Sequence, residues 1–136
     1  MAKISFYLFE NSTERQVDIT CRLCRKILTK SSAQVWLYSP ALEFLKELDD
    51  RLWSFDSSSF MPHGIEQYDA PICLSQQLPS DGDWIIFNFE AKALDQFEKF
   101  SHIIEIIENN EPAKQLGREK YKAYRRLGIQ PETFKL

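Results

Sequence analysis

Apolar residues along this chain fall into two rhythms, and the order in which the rhythms alternate predicts the fold. Ile4-Ser5-Phe6-Tyr7-Leu8-Phe9 is a short, nearly continuous apolar run of the kind that forms a buried strand. Past Glu10, any of Asn11, Ser12 and Thr13 can cap a helix. Val17, Cys21, Cys24 and Leu28 then recur at helical spacing, with Leu23 and Ile27 widening the apolar face. Gln34-Val35-Trp36-Leu37-Tyr38 reads as a second strand. Ser39-Pro40 follows as serine cap and first-turn proline of a helix whose Leu42, Leu45, Leu48 and Leu52 share one side, broadened by Phe44 and Trp53.

Strand, helix, strand, helix implies parallel pairing through right-handed crossovers. The breakers Ser57-Ser58-Ser59 and Pro62-His63-Gly64 make the stretch from Ser54 to Ile65 loop-like. Ile72-Cys73-Leu74 is a short strand, and Trp84-Ile85-Ile86-Phe87-Asn88-Phe89 is the clearest strand in the chain. Ala91 to Phe100 are expected to form a short helix, and the β-branched run His102-Ile103-Ile104-Glu105-Ile106-Ile107 a strand. A last helix runs from about Lys114 and is closed by Gly128, suited to a left-handed cap. The expected architecture is one α/β domain over residues 1–136: a Rossmann-like three-layer sandwich around a mostly parallel sheet.

Composition supports a packed domain. Of the 136 residues 43% are hydrophobic and 13% aromatic, and no apolar run approaches the length of a bilayer crossing. The first residues lack the apolar core of a signal peptide, so a cytoplasmic protein is expected. Charge is uneven. From Glu111 to Leu136 seven cations face three carboxylates, a balance of +4, whereas residues 1–110 carry ten against seventeen, a balance of −7. An acidic body with one basic helix is a poor general nucleic-acid binder and a reasonable receptor for a compact acidic peptide.

Enzymatic readings find little support. A dinucleotide site needs glycines in the first strand-to-helix turn, where this chain has Glu10-Asn11-Ser12-Thr13-Glu14. Its four glycines, Gly64, Gly82, Gly117 and Gly128, lie elsewhere. Cys21 and Cys24 have redox spacing but sit well inside a helix on its apolar side, where small-residue packing is the better reading. Cys73, His63 and His102 are too irregularly placed to complete a metal site, and neither histidine has a serine or cysteine beside it as a nucleophile. No catalytic constellation and no cofactor are expected.

The candidate chemistry lies in the last helix. Lys114, Arg118, Tyr121, Lys122 and Arg125 fall at i, i+4, i+7, i+8 and i+11, a cationic stripe around one aromatic ring, with Glu119 on another face. Such a stripe is ordinarily a solvated face. Tyrosine and arginine together favour an interface. Leu52-Trp53-Ser54-Phe55 and Phe60-Met61-Pro62-His63 divide in the same way between core packing and an exposed partner patch.

The run Arg118-Glu119-Lys120-Tyr121-Lys122-Ala123-Tyr124-Arg125, preceded by Lys114-Gln115-Leu116 and closed by Gly128, resembles the C-terminal signature of the chi subunit of bacterial DNA polymerase III holoenzyme. Phe6-Tyr7-Leu8, Leu52-Trp53 and Phe60-Met61-Pro62-His63 match that family in order and spacing. The resemblance implies a Rossmann-like domain without enzymatic activity, an accessory of the clamp-loader assembly. It implies a link to single-stranded-DNA-binding protein through that protein's acidic C-terminal tail, which ends in Pro-Phe with a free carboxylate. By motif position, tail binding falls to Lys114, Arg118, Tyr121, Lys122 and Arg125, with Arg118 or Lys122 meeting the terminal carboxylate and Tyr121 forming a wall for the phenyl ring. A surface for the psi subunit would fall to Trp53, Phe55, Phe60, Pro62 and His63, and a DNA helicase is a candidate competitor for the chain. Gly117 departs from the family, where alanine is commoner, at a cost of about 1 kcal/mol in helix preference. The competing reading is direct single-strand binding through the same basic helix, without sequence specificity.

Overall fold

The computed structural model describes residues 3–10, 14–30, 33–54, 62–80, 83–94 and 99–135. In chain order the elements are β1 (Lys3–Leu8), α1 (Gln16–Lys30), β2 (Gln34–Tyr38), α2 (Leu42–Ser54), β3 (His63–Ile65), β4 (Ile72–Ser75), β5 (Trp84–Asn88), β6 (His102–Ile107), α3 (Glu111–Arg126) and β7 (Glu132–Lys135). The strands form one sheet in the order β3-β4-β2-β5-β6-β1-β7, and every pairing is parallel. The expected Rossmann-like α/β fold is therefore present, with a sheet that is wholly rather than mostly parallel.

Period-two alternation sorts the strand side chains between two cores. Val35, Leu37, Ile72, Leu74, Phe87, Ile104 and Ile106 pack with Val17, Cys21, Cys24, Leu45, Leu48 and Leu52 of α1 and α2. Ile4, Phe6, Trp36, Cys73, Trp84, Ile86, Ile103 and Ile107 point to the other face, where Tyr124 of α3 joins them. Burial on both faces is why these strands read as continuous apolar runs rather than alternating ones.

The helix ends follow their sequence signals in part. Helix α2 begins at Leu42, its first bonded carbonyl being that of Ala41, so Ser39 and Pro40 precede it rather than cap it. Ser39 Oγ accepts from the Ala41 amide at 3.1 Å in the turn before the helix. The caps expected at Asn11, Ser12 or Thr13 lie outside the described residues. Asn110 Oδ1 accepts from the Ala113 amide at 2.9 Å, capping α3, with Pro112 in its first turn. Gly128, at φ +91°, turns the chain out of α3 while its amide reaches the Arg125 carbonyl and that of Ile129 reaches Tyr124, the Schellman pattern.

Two expectations change, and one strand is new. The stretch to Ile65, expected as loop, ends in the edge strand β3, held in parallel register by β4. Of the helix expected from Ala91 to Phe100, residues 91–94 run irregularly and Lys99 lies in a 3-10 turn, while residues 95–98 lie outside the described residues. Asn88 Nδ2 binds the Lys92 carbonyl at 2.9 Å and the Leu94 amide donates to the Tyr124 hydroxyl at 3.1 Å, so these backbone groups are bonded by side chains instead. Strand β7 was not legible, being short, polar and exposed at all four residues.

The cysteines are core groups. Cys21, Cys24 and Cys73 are buried and unpaired, and burial pushes the Cys21 thiol up to about 12, Cys73 to about 11 and Cys24 well above its ordinary value. A thiol-reactive reagent at neutral pH should therefore label all three slowly in the folded protein and fast only in denaturant. Rapid labelling of the native chain would contradict this.

Candidate functional site

Helix α3 crosses the sheet over β6 and, with the strands beneath its first half, encloses a cleft of about 310 Å³. Its apolar surface comes from Phe6 and Leu8 of β1, Ile107 of β6 and the ring of Tyr121, and Thr133 of β7 completes it. Lys114, Arg118 and Tyr121 line the cleft as the helical spacing predicts, but Lys122 and Arg125 do not. Both are exposed on the flank of α3, and the Lys122 ammonium lies 3.8 Å from Glu119. Glu119 is thus within reach of the stripe from which it was expected to be separate.

Gly117 has a packing reason. A Cβ at this position would lie 2.8 Å from Ile107 Cδ1, so the missing side chain lets α3 settle against β6 at the cleft's edge. The ring of Tyr121 meets Phe6 edge-on at 5.5 Å, and its hydroxyl accepts from Gln130 Nε2 at 2.7 Å. Arg118 is exposed, and its guanidinium donates to Gln115 Oε1 at 3.2 Å.

The cleft has a second, acidic side made of Glu10, Glu108 and Glu111. Glu108 is also tied to α1, since its Oε2 accepts from the Gln16 amide at 2.9 Å. One rim therefore attracts anions and the other repels them, across an apolar floor.

Under α3 lies a polar group with no counterpart in the sequence reading. Glu105 is fully buried among the isoleucines of β6. Its Oε1 receives the Lys120 ammonium at 2.7 Å, and its Oε2 receives the Tyr124 hydroxyl at 2.7 Å and Asn88 Nδ2 at 2.8 Å. Burial raises the Glu105 pKa, against which Lys120 and the three hydrogen bonds act. Burial and the nearby carboxylate likewise push Tyr124 up.

The mid-chain residues meet at the β3 edge. Trp53 is 59% exposed and packs over the His63 ring at 4.9 Å. His63 Nε2 lies 3.3 Å from Asp49 Oδ1, and Pro62 is exposed. Phe55 and Phe60 lie outside the described residues. His102, expected to have no serine beside it, lies with Nε2 at 2.8 Å from Ser5 Oγ. Pairing of β1 with β6 brings them together across 97 positions. Ser5 is buried, so its hydroxyl is not presented to a substrate.

The fold and cleft define a Rossmann-like α/β domain with its own strand order, in which β1 pairs with β6 and β7 rather than with β2, and with a charged apolar cleft under its last helix. Residues 1–132 match the family described as DNA polymerase III chi subunit, HolC, and the chain belongs to that family of replication accessory subunits. It is 27% identical over 140 residues to DNA polymerase III subunit chi of Pseudomonas aeruginosa, an alignment covering 100% of this chain and 98% of that protein. It is 31% identical over 137 residues to subunit chi of Haemophilus influenzae, with 94% of each chain covered. To subunit chi of Escherichia coli K12 it is 25% identical over 144 residues, covering 98% of this chain and 97% of the relative.

Proposed function

We propose that this chain links DNA polymerase III to single-stranded-DNA-binding protein by holding that protein's acidic C-terminal tail in the α3 cleft. The observation that carries the reading is the placement of Lys114 and Arg118 beside an apolar floor of Phe6, Leu8 and Ile107. A C-terminal phenylalanine has those two needs at once: a slot for the ring and a cation for the carboxylate. Arg118 is the better of the two candidates for the carboxylate, because it lines the cleft whereas Lys122 faces Glu119. Tyr121 is the wall against which the phenyl ring lies. The acidic rim sets direction: upstream carboxylates leave over Lys122 and Arg125 and away from Glu10, Glu108 and Glu111.

We assign the psi subunit of the clamp-loader assembly to the exposed Trp53 and Pro62, together with Phe55 and Phe60; the His63 side chain, 1% exposed, lies under the Trp53 ring and would support this surface rather than touch the partner. Direct single-strand binding through α3 is the weaker reading, since three carboxylates on the cleft would meet the phosphates. Calorimetric titration with an acidic peptide ending in Pro-Phe, beside the same peptide lacking the phenylalanine, tests the assignment. Binding is expected only with the complete peptide. Equal binding by both would reduce the site to charge attraction, and tight binding of naked single strands at physiological salt would favour the nucleic-acid reading.

A further inference from the structure

The opposite face of the sheet carries a second recess. Tyr7, Phe9, Ile85 and Ile104 floor a groove of about 390 Å³, and Leu23 and Ile27 of α1 form its wall. Tyr7, Leu23, Ile27 and Ile85 are only half-buried, so the apolar surface is accessible. The floor continues toward the sheet edge, where Phe134, 37% exposed, stacks on Tyr7 at 5.1 Å.

Charge distinguishes this groove from the α3 cleft. Among its described lining residues the cations are Arg22 and Lys26, no carboxylate is present, and His102 at the sheet is held below its ordinary pKa by burial and by Lys3. Glu132 acts on Tyr7 and His102 from the sheet edge, where it pairs with Lys3 at 3.9 Å. Lys30 follows at the next i+4 position, and from Arg22 to Lys30 the helix holds four cations and no acid, in a chain of net charge −3. The dipole at the end of α1 rewards cations in its last turn only, and Arg22 and Lys26 precede that turn. Among the described residues Arg22 pairs with Glu14 at 3.0 Å, outside the groove lining.

We propose that this groove docks an acidic amphipathic helix of a partner protein, whose apolar side chains enter between α1 and the sheet while its carboxylates meet Arg22, Lys26 and Lys30. Anchors at helical spacing suit a groove walled by a helix, and the cationic rim selects an acidic flank. The site lies on the other side of the sheet from the α3 cleft, so both can be filled together, and it does not depend on the tail reading.

The test is a nuclear magnetic resonance titration of the full chain with a synthetic helix bearing leucines on one face flanked by glutamates, beside the same helix with lysines for glutamates. The acidic helix should shift the amides of Tyr7, Leu23, Ile27 and Ile85, and the lysine helix should not. Arg22→Glu with Lys26→Glu, both exposed and so compatible with folding, should weaken the acidic helix about tenfold or more. Equal response to both helices, shifts confined to the α3 cleft, or no response would overturn the proposal. Shifts in the groove that grow with protein concentration alone would assign it to a second copy and overturn it as well.

Discussion

Lys120→Met should cost roughly 3–5 kcal/mol of folding stability, the cost of leaving a buried charge without its partner. Glu105 is 0% exposed and Lys120 8%, and the 2.7 Å contact between them is the only ion pair Glu105 makes among the described residues. Asn88 and Tyr124 still donate to the carboxylate in the variant, but neither carries a positive charge. The direction with pH is fixed by the carboxyl's raised pKa. A carboxyl whose folded pKa lies above its unfolded value contributes most at acid pH and loses that contribution as pH rises through the folded pKa. Lys120→Met raises that pKa further, so the variant should recover part of its stability on acidification. Urea unfolding of the wild type and the variant at several pH values reads both effects. Adding Glu105→Gln should restore much of the loss at neutral pH, because the amide removes the uncompensated charge. A single variant as stable as the wild type at neutral pH would mean that water reaches Glu105.

Arg118→Ala should lower affinity for the tail peptide at least about tenfold while leaving the unfolding curve near wild type. The guanidinium is exposed and bonds only Gln115 among the described residues, so its removal takes away an anion receptor without opening the core. Lys122→Ala should have a smaller effect, since Lys122 stands outside the cleft beside Glu119. The same peptide titrated against both variants by calorimetry separates the two cations. Equal losses would place the carboxylate between them, and a wild-type affinity for Arg118→Ala would remove Arg118 from the site.

The elements that sequence displayed well are those whose signals are local. Helix α3 has its stripe at helical spacing and a glycine, Gly128, at its end, so its course and closing turn were legible, whereas its first turn from Glu111, with Pro112, lies ahead of the expected start near Lys114. The buried strands announced themselves by unbroken apolar runs. What was hidden depends on partners far along the chain. The polar run Glu132-Thr133-Phe134-Lys135 is a strand because β1 offers it a parallel edge, not through any strong preference of its own. Half of the cleft was legible for the same reason: Lys114, Arg118 and Tyr121 share a helix face, whereas Phe6, Leu8 and Thr133 reach the site only through the sheet order. Glu105 stood in the run of β6 without a role, because its partners Asn88, Lys120 and Tyr124 come from other elements. Gly117 looked like a helix defect until Ile107 was seen beneath it.

The register of β1 has a consequence for biosynthesis. Lys3 lies opposite His102 and Ser5 opposite Glu132, so the first strand to leave the ribosome pairs only with the sixth and seventh. Until those emerge, Ile4, Phe6 and their neighbours have no sheet to enter and present an apolar segment with unpaired backbone groups. Closure over so long a separation is slow, and exposed strands of this kind invite misassociation. The cleft, built from β1, β6, α3 and β7, is accordingly a late product of translation. A nascent chain can bury most of the α2 side of the sheet well before it can receive a ligand.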